Sequence, residues 1–145
     1  MPRKTRRTAA ESRRPASAVA ARKTLLIVED DEDLRRMLRM TLVIGGYDVR
    51  EAGDGLEALQ FLDVETPDAV ILDLGLPLVP GHVVRDEIVA HAETRRIPLV
   101  IVTGMPGDHE GPGVDCVLRK PITPERLLEV VAACIAAGSS SARLD

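Results

Sequence analysis

Four apolar runs of this chain each end beside a polar residue that could take part in chemistry. The runs are residues 25–28, 69–72, 99–102 and 116–118. The residues that follow them are Glu29 and Asp30, Asp73, Thr103, and Lys120. If the runs are parallel strands, their carboxyl ends share one edge of a sheet, which is where such sheets bind ligands. Three carboxylates, a hydroxyl and an ammonium group would then meet there.

Such a cluster of carboxylates needs positive charge. Two unit charges about 4 Å apart repel by about 4 kcal/mol at an effective dielectric constant of about 20. Mg²⁺ is suitable because it is a hard ion that takes a few carboxylates and also accepts a phosphate oxygen. Lys120 supplies a second positive charge, and the hydroxyl of Thr103 can hydrogen-bond a phosphoryl oxygen. Asp73 can then act as a nucleophile that forms an aspartyl-phosphate.

Strands must alternate with helices to place these residues at one edge. Beyond the four apolar runs, the pattern predicts a short strand at 48–52. It predicts helices at 33–44, 55–62 and 82–91, and a last helix that Pro124 begins and Gly138 ends. Thr123 suits the N-cap of that last helix. Five strands alternating with helices predict an α/β fold with a parallel sheet covered on both faces.

Composition limits the class of protein. The chain has 145 residues, 45% apolar and only 1% aromatic, which predicts one domain with an aliphatic core. Cys116 and Cys134 lie in apolar segments without a metal-ligand spacing, so we expect buried free thiols and a reducing, cytoplasmic location. No apolar run approaches the roughly 20 residues that span a bilayer, so no membrane association is expected.

Residues 1–23 form a basic segment with eight Lys or Arg and one acid. Because the whole chain carries −4 and this segment +7, residues 24–145 carry −11. Composition predicts a disordered tail at 1–23, a folded domain at 24–138 and a C-terminal tail at 139–145. The basic tail could be a solubilising segment or cloning remnant, an arm for nucleic acid, or an organelle transit peptide.

Four motifs together identify a family resemblance. They are LLIVEDDEDLRRML, DAVILDLGLPLVPG, PLVIVTG and VLRKPIT, and the resemblance that they carry covers roughly residues 24–137. The chain resembles a response-regulator receiver domain, the phosphoacceptor half of bacterial two-component signalling. The resemblance implies a flavodoxin-like, doubly wound sheet with strand order 2-1-3-4-5. It also implies a sensor histidine kinase or histidine phosphotransfer protein as donor, and a downstream protein whose identity the sequence does not reveal.

The resemblance also implies a role for each residue of the cluster. The implied Mg²⁺ ligands are Glu29 through a water, Asp30, Asp73 and the backbone carbonyl of Gly75. Asp73 is implied to be phosphorylated, with Thr103 as the switch hydroxyl and Lys120 as the phosphate-sensing lysine. The Lys120–Pro121 peptide is usually cis in the family, which an X–Pro bond adopts at low cost.

Two features depart from the family. Val117 occupies a position that is Tyr or Phe in many receivers, where the ring moves when the switch hydroxyl does. Residues 104–113 contain four Gly and two Pro where the family has its fourth helix, so we expect that helix to be missing or reduced. The usual output face would then be altered, and we expect no symmetric dimer through it.

Three functions follow from these observations. The first is a stand-alone receiver that signals by protein–protein contact, with autocatalytic phosphoryl transfer and self-dephosphorylation but no enzymatic turnover. The second is a pseudo-receiver-like binding module that does not switch by phosphorylation, which Val117 favours and the intact acid, Thr and Lys set opposes. The third is a haloacid-dehalogenase-like phosphatase. That family needs a second Asp where this chain has Gly75, which argues against it.

Overall fold

The computed structural model of the chain describes residues 21–104 and 116–144. The strands are β1 (Thr24–Val28), β2 (Asp48–Ala52), β3 (Ala69–Asp73), β4 (Leu99–Thr103) and β5 (Cys116–Arg119). The helices are α1 (Glu32–Ile44), α2 (Gly55–Val64), α3 (Gly81–Ala90) and α4 (Pro124–Leu144). All paired strands are parallel, in the order β2-β1-β3-β4-β5. The predicted α/β class and strand order are confirmed.

The sheet has a hydrophobic core on each face because its central strands alternate side chains between the two. Leu25 and Ile27 of β1 point to the face covered by α1 and α4. Leu26 and Val28 point to the face covered by α2 and α3. The largest fully buried side chains are Leu and Ile, apart from Glu29. Burying each such aliphatic side chain contributes about 1.5–3 kcal/mol, so the core is aliphatic as predicted.

Short polar contacts fix where the helices begin. The Asp31 carboxylate caps α1 by accepting hydrogen bonds from the backbone N–H groups of Asp33 and Leu34. Thr123 accepts from the N–H of Arg126 at 3.2 Å, as expected for the N-cap of α4. Because α1 follows β1 after three residues, its cap fixes the chain directly beside the carboxyl end of that strand.

The last helix is longer than the sequence predicts. The expected end at Gly138 is wrong, since α4 continues to Leu144. A Cβ atom on Gly138 would lie 2.5 Å from Cγ of Pro98, so this glycine permits close packing of α4 on the residue before β4. A glycine inside a helix costs only about 1 kcal/mol relative to alanine, which does not end a packed helix. The domain limit at 138 stays a prediction.

Two other predictions lie outside the described residues. The reduced fourth helix was expected at 104–113, of which 105–113 are not described. The disordered tail was expected at 1–23, of which 1–20 are not described and 21–23 precede β1 without regular structure. The described residues contain four helices, a number that fits a missing or reduced fourth family helix. The altered output face and the missing dimer stay predictions. Among the described helices, none has the length and hydropathy to cross a bilayer.

Candidate functional site

The carboxyl ends of the three central strands stand level with one another. Leu72 of β3 pairs with Val28 of β1, and Asp73 pairs with Val102 of β4. Asp73 and Thr103 are therefore the last residues of neighbouring strands, and Glu29 follows β1 directly. The parallel register thus brings together residues far apart in sequence at one edge of the sheet.

Glu29, Asp30 and Asp73 form a compact group of carboxylates. One oxygen from each lies within 4.8 Å of the others. Glu29 and Asp73 are buried, with 1% and 4% of their surface exposed, while Asp30 is exposed. Two acids therefore line the bottom of the site, and the third stands at its opening.

Lys120 compensates part of this negative charge. Its Nζ lies 3.6 Å from Oδ2 of Asp73 and 3.8 Å from Oε1 of Glu29. Both distances exceed those of a good hydrogen bond, so the contacts are ion pairs. The backbone N–H of Lys120 donates to the Thr103 carbonyl at 2.9 Å, which ties the start of the β5–α4 link to the end of β4. The Lys120–Pro121 peptide bond is cis.

One oxygen of the buried Glu29 carboxylate lacks a hydrogen-bond partner among the described residues. Its Oε2 accepts from the backbone N–H of Asp31 at 3.2 Å, but Oε1 has no hydrogen-bond partner among the described residues. Burial, and next the Asp73 carboxylate, raise the pKa of Glu29 from 4.5 to about 7. A buried oxygen without a donor costs free energy that a bound cation would offset. The all-oxygen donor set and this unsatisfied atom fit Mg²⁺.

Backbone groups hold Asp73 in place. Its Oδ1 accepts from the N–H of Gly75 at 3.0 Å. A Cβ on Gly81 would lie 2.5 Å from the Asp73 carbonyl oxygen, so only glycine lets the start of α3 come this close to the end of β3. The carboxylate is therefore oriented by the β3–α3 connection as well as by the strand.

Arg35 supports the site in a way that the sequence did not reveal. Its Nη1 donates to the carbonyl of Glu29 at 2.7 Å, and its Nε pairs with Glu51 at 3.0 Å. Glu51 also pairs with Arg39 at 3.1 Å. The guanidinium thus fixes the backbone at the first acid of the cluster. The sequence feature that could have indicated this role is the position of Arg35 in the first turns of α1, shortly after the acids.

The structure brings four of the predicted residues into direct contact range: Glu29, Asp30, Asp73 and Lys120. Thr103 is 1% exposed at the end of β4, one strand from Asp73. Gly75 touches the cluster through its N–H, and no contact of its carbonyl with the carboxylates is described. Val117 is half-buried and packs against the core on the α2 and α3 face. Of the described His, Cys, Asp and Glu residues, only the three acids form a potential metal-binding group.

Comparisons with known proteins show the family to which this chain belongs. The family model for the response regulator receiver domain matches residues 25–132. The polar-differentiation response regulator DivK of Brucella anthropi is 33% identical over 114 residues, covering 75% of this chain and 93% of DivK.

Two solved structures have the same fold. Chemotaxis response regulator CheY4 of Vibrio cholerae aligns with a TM-score of 0.73 and 25% identity, covering 79% of this chain and 99% of CheY4. The receiver domain of sensor histidine kinase PA1611 from Pseudomonas aeruginosa aligns with a TM-score of 0.74 and 28% identity, covering 80% and 99%. Its crystal structure has a magnesium ion coordinated in the active site cleft. Family model, relative and fold together show that this chain belongs to the response regulator receiver domain family of two-component signalling.

Proposed function

We propose that Asp73 accepts a phosphoryl group from a phosphohistidine of a sensor histidine kinase or histidine phosphotransfer protein in the cytoplasm. The chain then signals by protein–protein contact through an output face that differs from the family's usual one. One observation carries this proposal. Asp73 lies buried between two other carboxylates and the Lys120 ammonium, at the carboxyl edge of the sheet.

Mg²⁺ is the proposed cofactor. Its ligands would be Asp30, Asp73, the Gly75 carbonyl and, through a water, Glu29. When bound, the ion offsets negative charge on the transferring phosphoryl group. The unsatisfied Oε1 of Glu29 supports a cation here, as does the magnesium ion in the PA1611 receiver domain.

Phosphoryl transfer uses the residues of this chain as follows. A carboxylate oxygen of Asp73 attacks phosphorus, the phosphorus–nitrogen bond of the donor breaks, and its electron pair returns to the imidazole. Lys120, 3.6 Å from Asp73, compensates charge on the phosphoryl oxygens, and the Thr103 hydroxyl donates to one of them. Water later attacks phosphorus, the bond between phosphorus and the Asp73 oxygen breaks, and inorganic phosphate leaves with the carboxylate regenerated. The chain thus undergoes a modification cycle without turning over a separate substrate.

The output side of the proposal depends on Val117. A valine has no ring that could move inward, so a change at Thr103 cannot be relayed by an aromatic side chain at this position. The downstream partner must therefore recognise a different consequence of phosphorylation.

The decisive experiment is incubation with acetyl phosphate and Mg²⁺, followed by intact-mass measurement. We expect the mass to rise by one phosphoryl group and the rise to disappear in Asp73→Asn. Asp86→Asn is a matched control, because Asp86 is an exposed acid on α3 away from the site. An unchanged mass for the wild-type protein would contradict the proposal and favour a binding module that does not switch by phosphorylation.

A further inference from the structure

A groove lies between α2 and α3 at the edge of the sheet opposite the phosphoacceptor site. It encloses about 450 Å³ and is lined by the last turns of both helices and by the turn after α3. Leu59, Leu62 and Ile88 supply its apolar surface. The hydroxyl of Thr94 donates a hydrogen bond to the Ile88 carbonyl at 2.7 Å. In a parallel α/β fold the helices run back along the strands, so the carboxyl ends of helices lie at the amino edge of the sheet.

The groove carries negative charge. Asp63, Glu87 and Glu93 are exposed around it, and its described lining contains neither Lys nor Arg. The remaining titratable group of the lining is His91, whose pKa is also raised in these surroundings. The hydrogen bond to the Glu87 carbonyl is the largest cause that raises the pKa of His91; desolvation opposes it, and the carboxylates of Glu87, Glu93 and Asp63 each add a smaller increase. Carboxylates around an apolar floor suit side chains with an apolar stem and a cationic end, which are Arg and Lys.

The chain itself supplies such side chains close to the groove. Residues 1–20 contain six Lys or Arg and one acid. This arm continues into β1, which begins at the amino edge of the sheet. There Thr24 exchanges hydrogen bonds with Asp68, the residue that precedes β3. The arm therefore starts at the same edge as the groove.

Length also favours the arm. Twenty residues reach up to about 70 Å when extended, whereas α2, with its 10 residues, is only about 15 Å long. A tethered segment has an effective concentration in the millimolar range, so weak contacts suffice for docking. The acids of the phosphoacceptor site compete poorly for it, because they lie at the far edge and already face Lys120.

We propose that the groove between α2 and α3 is a docking site for the chain's own basic N-terminal arm, residues 1–20. The contact is electrostatic at the rim, and the stems of Arg side chains cover Leu59, Leu62 and Ile88. A docked arm is withheld from anionic partners such as nucleic acid.

Paramagnetic relaxation in the 145-residue chain tests this proposal. A nitroxide is attached to Ser12→Cys in a Cys116→Ser background, leaving the buried Cys134 in place. At low ionic strength we expect the amide signals of Leu62, Asp63 and Thr94 to lose at least half of their intensity. Raising the ionic strength from about 0.01 M to about 1 M shortens the Debye length from about 30 Å to about 3 Å. Because this screening weakens the docking, the three amide signals should regain their intensity.

Two triple variants provide the matched comparison. Neutralising the groove with Asp63→Asn, Glu87→Gln and Glu93→Gln should abolish the intensity loss. The control triple Asp33→Asn, Glu125→Gln and Glu129→Gln changes the net charge by the same amount at exposed sites on α1 and α4. The intensity loss should persist in this control. Loss centred on Glu29 and Asp73, uniform loss, or an equal response of both triples would overturn the proposal.

A mixing experiment separates the tethered arm from a second copy. Spin-labelled chain at natural isotope abundance is added to ¹⁵N-labelled chain without the nitroxide. We expect no intensity loss at the groove of the ¹⁵N-labelled copy. Loss there would mean that the arm docks on a neighbouring molecule and would overturn intramolecular docking.

Discussion

The centre and the edge of the sheet are built differently. All five residues of β3 are buried, and the strand pairs with β1 on one side and β4 on the other. In β5, which pairs only with β4, Leu118 alone is buried and Arg119 is exposed. The central strand ends on Asp73, the proposed phosphoacceptor, whereas the edge strand carries Val117 and leads to Lys120. The proposed phosphoacceptor thus ends a strand that is buried along its whole length, while Val117 lies on a strand that is only partly buried.

Truncation of one side chain in each strand tests this contrast most strongly. Leu72→Ala should lower the free energy of unfolding by about 2–5 kcal/mol, because Leu72 is fully buried and a cavity remains. Val117→Ala should cost less than about 1.5 kcal/mol, since a smaller, half-buried side chain is shortened. Urea unfolding followed by circular dichroism measures both. Equal losses would show that the edge is as tightly packed as the centre.

The next largest effect concerns Glu29 and pH. Its pKa is about 7 in the folded protein and 4.5 ordinarily, so the folded state binds this proton more tightly. The resulting stabilisation is complete below pH 4.5 and is lost as the pH rises through 7. At about pH 8 without metal, Glu29→Gln should therefore be more stable than wild type by about 1–3 kcal/mol.

Thermal unfolding across this pH range measures the difference. The difference in stability between Glu29→Gln and wild type should vanish near pH 4, and at high pH it should become smaller when Mg²⁺ is added. A gap that is the same at both ends of the range would mean that Glu29 is not the group responsible.

Lys120 should weaken cation binding, because it competes with a metal ion for the same acids. Lys120→Met should tighten Mg²⁺ binding by roughly 3–10-fold, about 1 kcal/mol. Lys120→Arg keeps the charge and serves as the control. Calorimetry is suitable because the chain has no Trp to report binding. Weaker Mg²⁺ binding in Lys120→Met would contradict the arrangement of charges described above.

The smallest expected effect is at Val117. Val117→Phe restores a ring at the edge strand without touching the acids, so the yield of phosphorylated protein should change by less than twofold. Intact-mass measurement with acetyl phosphate gives this yield. A larger change would show that the residue at position 117 affects phosphorylation itself and not only its downstream effect.

The strand order and the candidate site were largely predictable. Strand identity follows from apolar runs with polar ends, and the parallel register then places Glu29, Asp73 and Thr103 at one edge. The family resemblance supplied the strand order. The strands were predictable because the two-residue period of a strand is encoded locally, whereas their order is not local and came from the resemblance.

Other features depend on contacts between distant segments. No local pattern predicts that α4 continues past Gly138, because the glycine is needed for close contact with Pro98, the residue before β4. Arg35 reaches the Glu29 carbonyl only because α1 lies at a particular angle to β1. The α2–α3 groove likewise depends on helix spacing, which no local pattern specifies.

Locating the acyl phosphate is the most direct test of Asp73 as the phosphoacceptor. Borohydride reduces an aspartyl-phosphate to homoserine, and tandem mass spectrometry of the digested protein then identifies the position. After incubation with acetyl phosphate and Mg²⁺, we predict homoserine at position 73 alone. Homoserine at position 30 or 31 instead, or at no position, would contradict the assignment of Asp73.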